Sequence, residues 1–429
     1  MKVLVIGGGG REHAMAWRVA QDPGVDAVYC VPGNGGAAAD VSCIPGNILN
    51  PQEIASLAET LGVDCTVVGP EAPLVAGVAD EFVSRGLAVV GPSRSAAQLE
   101  GSKVFSKRFL DECGLPTAAA AVLENESDVN ATVGRFGYPV ALKADGLAAG
   151  KGVVIARDEA EARSCARAML GGDLVGDAGR RIVVEQFLEG EEVSFMVLTD
   201  GNAFCVLPAT QDHKRALDGD HGPNTGGMGA YCDDSILSNA AREGIIERII
   251  EPSLAGMRRR GTPFRGFLYC GLMVTEDGPQ VLEFNVRLGD PETQPILYRL
   301  DGGFAELLVS ASRGALDPTL VTAGPEPTAC VVMASGGYPG KYETGEPIEG
   351  LQAAGRLGAK VFHAGTRIAG GRIVTAGGRV LGVTARGKGL DEALANAYKS
   401  VDVIDFTGVH YRKDIGSRGL RRLAGGTSG

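Results

Sequence analysis

The fold of this chain is decided first by residues 2–16, KVLVIGGGGREHAMA. An apolar run ends in four glycines and leads into a stretch with helical spacing, which predicts a buried strand, a tight turn and a helix. Short apolar runs and helical stretches keep alternating to about residue 95, so the sequence predicts a parallel sheet with helices on both faces. Ligands of such a sheet lie beyond the carboxyl ends of its strands, where this chain places glycine and proline.

The glycines of this turn do not complete a dinucleotide-binding fingerprint, which requires G-x-G-x-x-G and an acidic residue about 20 positions later. Glu12 or His13 occupies the third glycine position, and residues 32–34, Pro-Gly-Asn, end the second predicted strand where the acid should stand. NAD binding is therefore rejected. Backbone N–H groups at a helix N-terminus still suit an anion and Arg11 suits a phosphate monoester, with a merely structural turn as the alternative. For His13 and His213 a site role and a structural role both stay open.

Length and composition indicate a multidomain enzyme without broad nucleic-acid or membrane-binding surfaces. The chain has 429 residues, a formal net charge of -11 and a pI of about 5.1, which disfavours polyanionic partners. No apolar run approaches the ~18 residues of a membrane span, and the N-terminus lacks the pattern of a signal peptide. The nine cysteines are dispersed without a C-x-x-C pair, as expected of reduced thiols. We therefore expect a cytoplasmic protein.

A second glycine-rich stretch, KADGLAAGKG at residues 143–152, lies between two predicted strands. It is not a P-loop, because three residues rather than four separate Gly146 from Gly150 and glycine follows Lys151. A glycine loop over a hairpin can still close on polyphosphate through its N–H groups, and Lys143 would reach the same oxygens. An ordinary glycine-rich hairpin turn is the alternative.

A candidate metal site lies in residues 281–287, VLEFNVR. The period of two places Glu283, Asn285 and Arg287 on one face of a predicted strand. The other face would carry the apolar residues Leu282, Phe284 and Val286. A carboxylate and an amide oxygen side by side suit Mg²⁺ held between protein and phosphates, with a plain solvated strand face as the alternative.

These signals follow one another in an order that resembles the ATP-grasp enzymes. Longer stretches are similar to one family of these enzymes, the phosphoribosylamine–glycine ligases, and span nearly the whole chain. They are GGREHA, PGNGG, VGPEAPLVAGVAD, QLEGSKVFSKRF, LKADGLAAGKGV, QDHKRALDGDHGPNTGGMGAY, GFLYCGLM, LEFNVRLGDPETQ, ASGGYPGKY, VFHAGT and RKDIG. The glycine loop and Glu-x-Asn are general to ATP-grasp enzymes, whereas QDHKR with GPNTGGMGAY and NVRLGDPETQ are particular to the ligase family.

The resemblance implies an α/β and α+β multidomain fold. Residues 1–100 would form a doubly wound parallel-sheet domain that binds substrate. Residues 101–325 would form the ATP-grasp region, with a mobile lid subdomain at about 117–190, and residues 326–429 a small α+β C-terminal domain.

The resemblance also implies a reaction: ATP-dependent ligation of glycine to 5-phosphoribosylamine through glycyl phosphate, giving glycinamide ribonucleotide, ADP and phosphate in purine biosynthesis. Lys143 and Arg287 would be catalytic, and Glu283 and Asn285 would bind Mg²⁺ or Mn²⁺. The implied ATP-binding residues are Lys103, Lys143, Gly146, Gly150, Lys151, Gly152, Glu185, Phe187, Leu188 and Glu192, with Glu185 on the adenine amino group and Glu192 on the ribose. The implied substrate-binding residues are Gly9, Gly10, Arg11, Glu12, Asn34, Asp212, His213, Lys214, Pro223, Asn224, Thr225, Gly226, Gly227, Met228 and Arg287.

The sequence departs from the family pattern at a few positions. Gly8 stands where a polar residue is expected, and residues 216–217, Ala-Leu, continue the Asp-His-Lys loop. Gly271 and Leu272 occupy the region where many ATP-grasp enzymes carry a further acidic metal ligand. A second Mg²⁺ would therefore be held mainly by Glu283, Asn285 and phosphates.

The expected partners are small molecules, with no nucleic acid or membrane, and the protein is expected to be a monomer or a homodimer. Two alternatives stay open. A formate-dependent or imidazole-carboxylating purine enzyme would share the nucleotide machinery but not QDHKR with GPNTGGMGAY. A non-catalytic nucleotide-binding regulator would need neither Glu283 nor that loop.

Overall fold

The N-terminal part of the chain forms the predicted parallel sheet. The computed structural model describes residues 1–147, 152–172 and 179–425. Parallel pairing joins the strands in the order β3-β2-β1-β4-β5, where the strands are β1 (Lys2–Gly7), β2 (Ala27–Pro32), β3 (Ser42–Cys43), β4 (Cys65–Val68) and β5 (Val89–Val90). The helices are α1 (Gly10–Ala20), α2 (Pro51–Leu61), α3 (Glu71–Ala76) and α4 (Val78–Ser84). The side chains from Val3 to Ile6 are fully buried, which explains the unbroken apolar run of β1.

In the segment that follows, the helical spacing of the sequence predicts a single helix around residues 95–114. The structure has two helices instead, α5 (Gln98–Gly101) and α6 (Lys103–Glu112). The break lies at Ser102, whose backbone is extended and whose hydroxyl accepts a hydrogen bond from the Phe105 N–H at 3.1 Å. Such an N-cap starts a new helix at this point.

The predicted lid is a small antiparallel sheet with its own apolar core. Its elements are β6 (Ala120–Leu123), α7 (Val129–Thr132), β7 (Val140–Ala144), β8 (Val153–Ala156), α8 (Glu159–Leu170) and β9 (Ile182–Gln186), and its strand order is β6-β9-β7-β8. Leu142, Ala166 and Val184 pack together in its core. The lid therefore buries apolar surface separately from the rest of the chain.

A long antiparallel sheet begins in the central part of the chain. Its strands and the loop hairpin beside it are β10 (Glu191–Thr199), β11 (Phe204–Val206), β12 (Thr210–Asp212), β13 (Arg215–Leu217), β14 (His221–Asn224), β15 (Gly229–Cys232), β16 (Gly266–Thr275) and β17 (Gly278–Asn285). The sequence also predicts a helical segment at 235–260. The structure divides it into α9 (Asn239–Ile245), a π-helical turn (Ile246–Ile250) and α10 (Glu251–Arg259). Pro252 has no N–H to donate, so the regular helical ladder cannot pass through this position.

The same sheet continues into the C-terminal part of the chain. Its order is β17-β16-β10-β12-β15-β20-β24-β21, so β15 of the central part pairs with β20 beyond residue 326. The remaining elements are α11 (Thr293–Arg299), β18 (Leu300–Gly302), α12 (Phe304–Ser312), β19 (Val321–Ala323), β20 (Thr328–Ala334), α13 (Leu351–Arg356), β21 (Lys360–His363), β22 (Thr366–Ala369), β23 (Arg372–Thr375), β24 (Arg379–Arg386), α14 (Leu390–Val401) and α15 (Ser417–Ala424). The predicted combination of α/β and α+β parts is confirmed. Across the described ranges, no helix is both long and apolar enough to cross a membrane.

Candidate active site

The N-terminal sheet, the lid and the long antiparallel sheet surround a cavity of about 1000 Å³, which we call the central cavity. Many residues singled out in the sequence lie on its wall: Arg11, Lys103, Lys143, Gly146, Gly152, Glu185, Phe187, Leu188, Glu192, Asp212, Lys214, Asn224, Thr225, Gly226, Glu283, Asn285 and Arg287. The structure does not bring the others to this wall: Gly9, Gly10, Glu12, Asn34, His213, Pro223, Gly227 and Met228. Gly150 and Lys151 lie outside the described residues.

The lid side of the cavity carries a buried cluster of opposite charges. Lys143, on β7, has its Nζ 2.8 Å from Glu185 Oε2 and donates a hydrogen bond to the Leu282 carbonyl at 2.9 Å. Lys107, on α6, lies 3.4 Å from the other oxygen of Glu185. The Glu185 carboxylate is thus engaged by two lysines, whereas Phe187 and Leu188 follow β9 and line the cavity.

Beside this cluster, the cavity wall includes the strand with the candidate metal ligands. Glu283 and Asn285 lie at the end of β17, and Glu283 faces Gly271 of β16 across the sheet. A register shift between Gly271 and Leu272 interrupts the predicted alternation. As a result Val281, Phe284 and Val286 enter the core. The prediction that Leu282 shares a face with Phe284 and Val286 is therefore wrong: Leu282 lines the central cavity together with Glu283 and Asn285.

Lysines around Glu283 keep this carboxylate ionised. Burial by itself would raise its pKa, but the positive charges of Lys214, Lys103 and Lys143 outweigh burial and leave the pKa below its usual value. The Lys214 Nζ lies 3.9 Å from Glu283 Oε1. The site therefore presents an anionic oxygen donor that is stable at neutral pH.

The donor set of Glu283 and Asn285 fits a hard divalent cation that also binds phosphate. Both supply oxygen, the ligand type that Mg²⁺ prefers. Among the described residues, no group of three or more His, Cys, Asp or Glu side chains is arranged to hold a metal ion. A cation here would complete its coordination with phosphate and water oxygens, as Mg²⁺ commonly does in nucleotide sites.

The loop after β12 points alternate side chains in opposite directions. Asp212 and Lys214 line the cavity, while His213 between them is fully buried and its Nε2 accepts a hydrogen bond from the Gly416 N–H at 3.2 Å. Burial, aided by Arg418 and Arg412, lowers the pKa of His213 to about 3. His213 is therefore a neutral packing residue in this structure, and the strand period of two separates it from its neighbours.

The N-terminus of α1 already holds a carboxylate. The Gly9 N–H donates to Glu12 Oε2 at 2.6 Å, and the Arg11 Nε donates to Glu12 Oε1 at 2.6 Å. A side chain at Gly7 or Gly69 would collide with Glu12, so these glycines make room for it. The Gly9 N–H, expected to meet a substrate anion, is thus used within the chain.

The Asn34 side chain likewise makes its hydrogen bonds to backbone groups of the protein. Its Nδ2 donates to the carbonyls of Gly8 at 3.0 Å and His363 at 2.7 Å. Its Oδ1 accepts from the Gly36 and Ala37 N–H groups at 3.1 and 2.9 Å. Asn34 therefore fixes the loop after β2 against the C-terminal part of the chain.

His13 also connects these two parts. Its Nε2 lies 2.7 Å from Asp40 Oδ2, and its Nδ1 accepts a hydrogen bond from the His363 N–H at 2.8 Å. Burial lowers the pKa of His13 although Asp40 opposes this effect. The contacts of His13 are thus those of a structural residue.

Arg287 is held by two acids above the N-terminal sheet. Its Nη2 lies 2.6 Å from Glu100 Oε1 and its Nε 3.2 Å from Glu71 Oε2. The same Nη2 donates to Asn285 Oδ1 at 3.1 Å. Arg287 therefore orients the candidate metal ligand Asn285 as well as lining the cavity.

Sequence reasoning missed several charged residues of the cavity wall. Arg379, from β24, donates to the carbonyls of Gly226 and Asp290 at 2.6 Å each and lies 2.8 Å from Asp290 Oδ2. The Gly226 N–H donates to the Tyr338 hydroxyl at 3.1 Å. The motifs that contain Asp290 and Tyr338 were visible in the sequence, but nothing local indicates that Arg379 joins them.

Comparison with known proteins covers almost the whole chain. Residues 1–100, 101–293 and 328–418 match the family models described as the N domain, the ATP-grasp (A) domain and the C domain of phosphoribosylglycinamide synthetase. The phosphoribosylamine–glycine ligase of Pseudomonas aeruginosa is 49% identical over 428 residues, which are 99% of this chain and 100% of that protein.

Solved structures show the same relationship. The crystal structure of phosphoribosylamine–glycine ligase from Thermotoga maritima superposes with a TM-score of 0.86 at 34% identity, covering 97% of this chain and 100% of that chain. A biotin carboxylase domain of Hydrogenobacter thermophilus 2-oxoglutarate carboxylase, crystallised with MgADP and bicarbonate, has a TM-score of 0.70 at 17% identity and covers 96% of this chain and 91% of its own. This second likeness concerns the fold alone.

Proposed function

Because this chain belongs to the phosphoribosylglycinamide synthetase family, we propose that it ligates glycine to 5-phosphoribosylamine at the expense of ATP, giving glycinamide ribonucleotide, ADP and phosphate. It is an ATP-grasp ligase that uses ATP as co-substrate with Mg²⁺. The observation that carries the proposal is the composition of the central cavity. Its wall carries lysines that suit phosphate, oxygen ligands that suit a divalent cation, and acidic side chains that suit an amine. The proposal also places glycyl phosphate as the intermediate, since a free carboxylate is a poor acyl donor.

The chemistry requires positioning and charge neutralisation rather than a protein nucleophile. Lys143 and Lys103 would contact the ATP phosphates beneath the loop of Gly146 and Gly152. Mg²⁺ or Mn²⁺ held by Glu283 and Asn285 would neutralise the charge of the terminal phosphates. Phe187 and Leu188 would meet adenine through their backbone, and Arg287 would orient Asn285 towards the cation.

Two acids in the cavity wall suit the ammonium group of glycine. Glu292 is buried and its Oε1 accepts hydrogen bonds from the Tyr269 hydroxyl at 2.7 Å and the Ser194 hydroxyl at 3.2 Å. Asp212 has a buried oxygen, Oδ1, without a hydrogen-bond partner. Burial and the negative charge of Glu292 raise the pKa of Asp212 well above its usual value.

Neither of these acids forms an ion pair with any described residue, whereas other acids of the wall have partners, as Glu192 has Lys214 and Asp290 has Arg379. An ammonium group between Asp212 and Glu292 would supply the missing positive charge and the missing donor. We therefore assign these two residues to the amino end of glycine, which leaves its carboxylate free to face the phosphates.

The function is tested by ADP release from ATP and Mg²⁺ with glycine and freshly generated phosphoribosylamine. We expect release to require both substrates, and glycolate, which lacks the ammonium group, to be used about 10⁴-fold less efficiently than glycine. Asp212→Asn should raise the KM for glycine at least about tenfold. It should also reduce the ratio of the efficiency with glycine to the efficiency with glycolate.

The matched control is Asp277→Asn, the same change on the exposed turn after β16, which should behave as wild type. Glycine-independent ADP release by the wild-type protein would exclude the ligase assignment and favour a formate-dependent or imidazole-carboxylating enzyme. ATP binding without any ADP release would favour the non-catalytic regulator. A wild-type enzyme that needs glycine, combined with an unchanged glycine KM in Asp212→Asn, would exclude only the ammonium site.

We assign Arg11 to the phosphate of phosphoribosylamine. Its Nε and Nη1 are bonded to Glu12 and to the Leu288 carbonyl at 2.9 Å, while its Nη2 has no hydrogen-bond partner in the described part of the chain. Arg11→Ala is expected to raise the KM for phosphoribosylamine about tenfold or more and to change the KM for ATP less than about twofold. Steady-state kinetics with each substrate varied in turn measures both.

The control for Arg11→Ala is Arg372→Ala, which removes an exposed guanidinium. Thermal unfolding should accompany the kinetics, because Glu12 loses one of its buried partners in Arg11→Ala. If Arg11→Ala raises the KM for ATP as much as the KM for phosphoribosylamine, residues 7–11 form only a structural turn and Arg11 does not bind the phosphate.

We propose the division into residues 1–100, 101–325 with the lid at 117–190, and 326–429, and a cytoplasmic enzyme that acts as a monomer or homodimer on small molecules. The acidic charge supports this location. So do the nine cysteines, all of which are free.

A further inference from the structure

The hairpin of β13 and β14 forms part of the wall of the central cavity but has little structure of its own to hold it there. Its two strands form a separate sheet, with a register shift between Arg215 and Leu217, and Leu217 is 47% exposed. An isolated two-stranded hairpin is at best marginally stable in water. Because Arg215, Asp220 and Asn224 of this hairpin line the cavity, contacts from elsewhere in the chain must keep it in place.

Residues 410–418, which we call the C-terminal tether, hold the hairpin. The His410 Nε2 lies 2.8 Å from the Ala216 carbonyl oxygen. The Gly219 N–H donates a hydrogen bond to Asp414 Oδ2 at 2.9 Å. The tether therefore contacts both β13 and the turn that follows it.

Arg412 lies at the centre of these contacts and is only 1% exposed. Its Nη1 donates to the Arg215 carbonyl at 3.1 Å and to Asp220 Oδ1 at 2.9 Å. Its Nε and Nη2 donate to the two oxygens of Asp414 at 2.8 and 2.7 Å. This paired contact fixes the plane of the guanidinium, so that Nη1 is directed at the hairpin.

The backbone of Asp220 shows why the turn needs this support. Its φ is 57°, a left-handed conformation that residues other than glycine rarely adopt and that persists where surrounding contacts enforce it. Arg412 holds one carboxylate oxygen of Asp220, and the Arg418 Nη2 lies 3.2 Å from the other. The two guanidinium groups thus fix the turn at the edge of the cavity.

The hairpin also determines where the neighbouring substrate residues lie. The Thr225 N–H and hydroxyl donate to the Lys214 carbonyl at 2.7 and 2.9 Å, which closes the base of the hairpin. Asp212, assigned above to the ammonium group of glycine, precedes this closure by two residues. A hairpin released from the tether would therefore loosen the loop that carries Asp212, Lys214 and Thr225 to the cavity.

We propose that Arg412 is a positioning residue for ligation, which holds the hairpin of β13 and β14 against the cavity so that the adjoining loop can bind glycine. The inference rests on the proposed ligase function and on the assignment of Asp212 to glycine. Burial by itself would raise the pKa of Asp414, but hydrogen bonds from Arg412 and the Gly219 N–H outweigh burial and leave the pKa below its usual value. Asp414 is therefore ionised at neutral pH, as an anchor for the guanidinium must be.

The first test is Arg412→Lys, which keeps the positive charge. The three N–H groups of an ammonium cannot reproduce the planar contacts of Arg412 with Asp414, Asp220 and the Arg215 carbonyl. We expect the KM for glycine to rise about tenfold or more and the KM for ATP to stay within about threefold of wild type, because the candidate phosphate lysines lie on other elements, α6 and β7. The matched control is Arg421→Lys, the same change at an exposed arginine of α15, with both KM values unchanged.

A second pair of variants separates positioning from a general contribution to stability. Arg412→Met should lower the thermal midpoint as well as raise the KM for glycine, because Asp414 loses its buried partner. Combining Arg412→Met with Asp414→Asn removes both charges and should recover most of the midpoint, but the KM for glycine should stay raised about tenfold. The hairpin still lacks its guanidinium in this double variant. A merely structural role would make midpoint and KM recover together.

Hydrogen–deuterium exchange read by mass spectrometry tests the contact without turnover. In Arg412→Lys, peptides covering residues 215–224 should exchange about tenfold faster or more, while those covering β7 should exchange as in wild type. This measurement and the kinetics of Arg412→Lys remain decisive even if Arg412→Met fails to fold.

The inference is overturned by an unchanged KM for glycine in folded Arg412→Lys, by equal increases in the KM for ATP and for glycine, or by unchanged exchange in the hairpin. Recovery of the KM for glycine together with the midpoint in the double variant would also overturn it. A failure of the ligase function would show instead as glycine-independent ADP release by the wild-type protein. The exchange measurement would then still decide whether Arg412 holds the hairpin.

Discussion

Replacing Lys143 by alanine is expected to lower the turnover number at least about 10³-fold, which corresponds to a loss of about 4 kcal/mol of transition-state stabilisation. Lys143, on β7, lines the cavity close to Glu283, and phosphoryl transfer depends on cations at the oxygens where charge develops. Lys107 remains on Glu185 when Lys143 is absent, so no buried carboxylate is left without a partner. We therefore expect the fold to persist.

Rapid-quench measurement of ADP formation from bound ATP would report the chemical step of Lys143→Ala directly. The control is Lys399→Ala, which removes an exposed lysine of α14 and should retain wild-type turnover. Circular dichroism and the thermal midpoint should show that both variants are folded. Near-normal turnover in a folded Lys143→Ala would remove this lysine from the mechanism.

Replacing Glu283 by glutamine is expected to raise the Mg²⁺ concentration for half-maximal activity at least about tenfold. Even the loss of a residue that only hydrogen-bonds to a metal ligand lowers metal affinity about 10–100-fold. The change removes the anionic oxygen from the donor pair and leaves only neutral amide oxygens. The positive charges of Lys214, Lys103 and Lys143 would then repel the cation, with no carboxylate at position 283 to offset them. A magnesium titration at saturating substrates measures the shift.

The matched control for Glu283→Gln is Glu276→Gln, because Glu276 lies exposed on the turn of the same hairpin. It makes the same change of charge away from the cavity, so its magnesium titration should overlay that of wild type. If the curve of Glu283→Gln also overlays that of wild type, Glu283 is not a metal ligand.

Elements with a strong local pattern were predictable from the sequence. The run from Val3 to Ile6 is buried on both sides of a parallel sheet, so its apolar character is continuous and its type is unambiguous. Two features that sequence reasoning overlooked also have local signals. Gly9 with Glu12 three positions later fits an N-terminal capping pattern, and the alternation of a strand turns His213 away from Asp212.

Features that depend on contacts between distant segments were not predictable. The register shift opposite Glu283 arises from the pairing of β16 with β17 and leaves no trace in residues 281–287 themselves. Lys107 belongs to a helix whose sequence gives no sign that Glu185 will lie beside it. The Asn34 side chain was assigned to substrate, but it bonds the His363 carbonyl 329 positions away, and one sequence contains no information on such a pairing.

The contact of Arg379 with the Gly226 carbonyl has a consequence for the protein while it is being made. The two residues are 153 positions apart, and at roughly 5–20 residues per second the ribosome needs about 8–30 s to cover that distance. Once residue 285 has been made, the nascent chain carries both candidate phosphate lysines and both candidate metal ligands, yet the loop around Gly226 still lacks its guanidinium. The residues proposed for ATP and its metal are therefore made before the last contact of the candidate acceptor loop, and we expect no ligation by a chain that ends before Arg379.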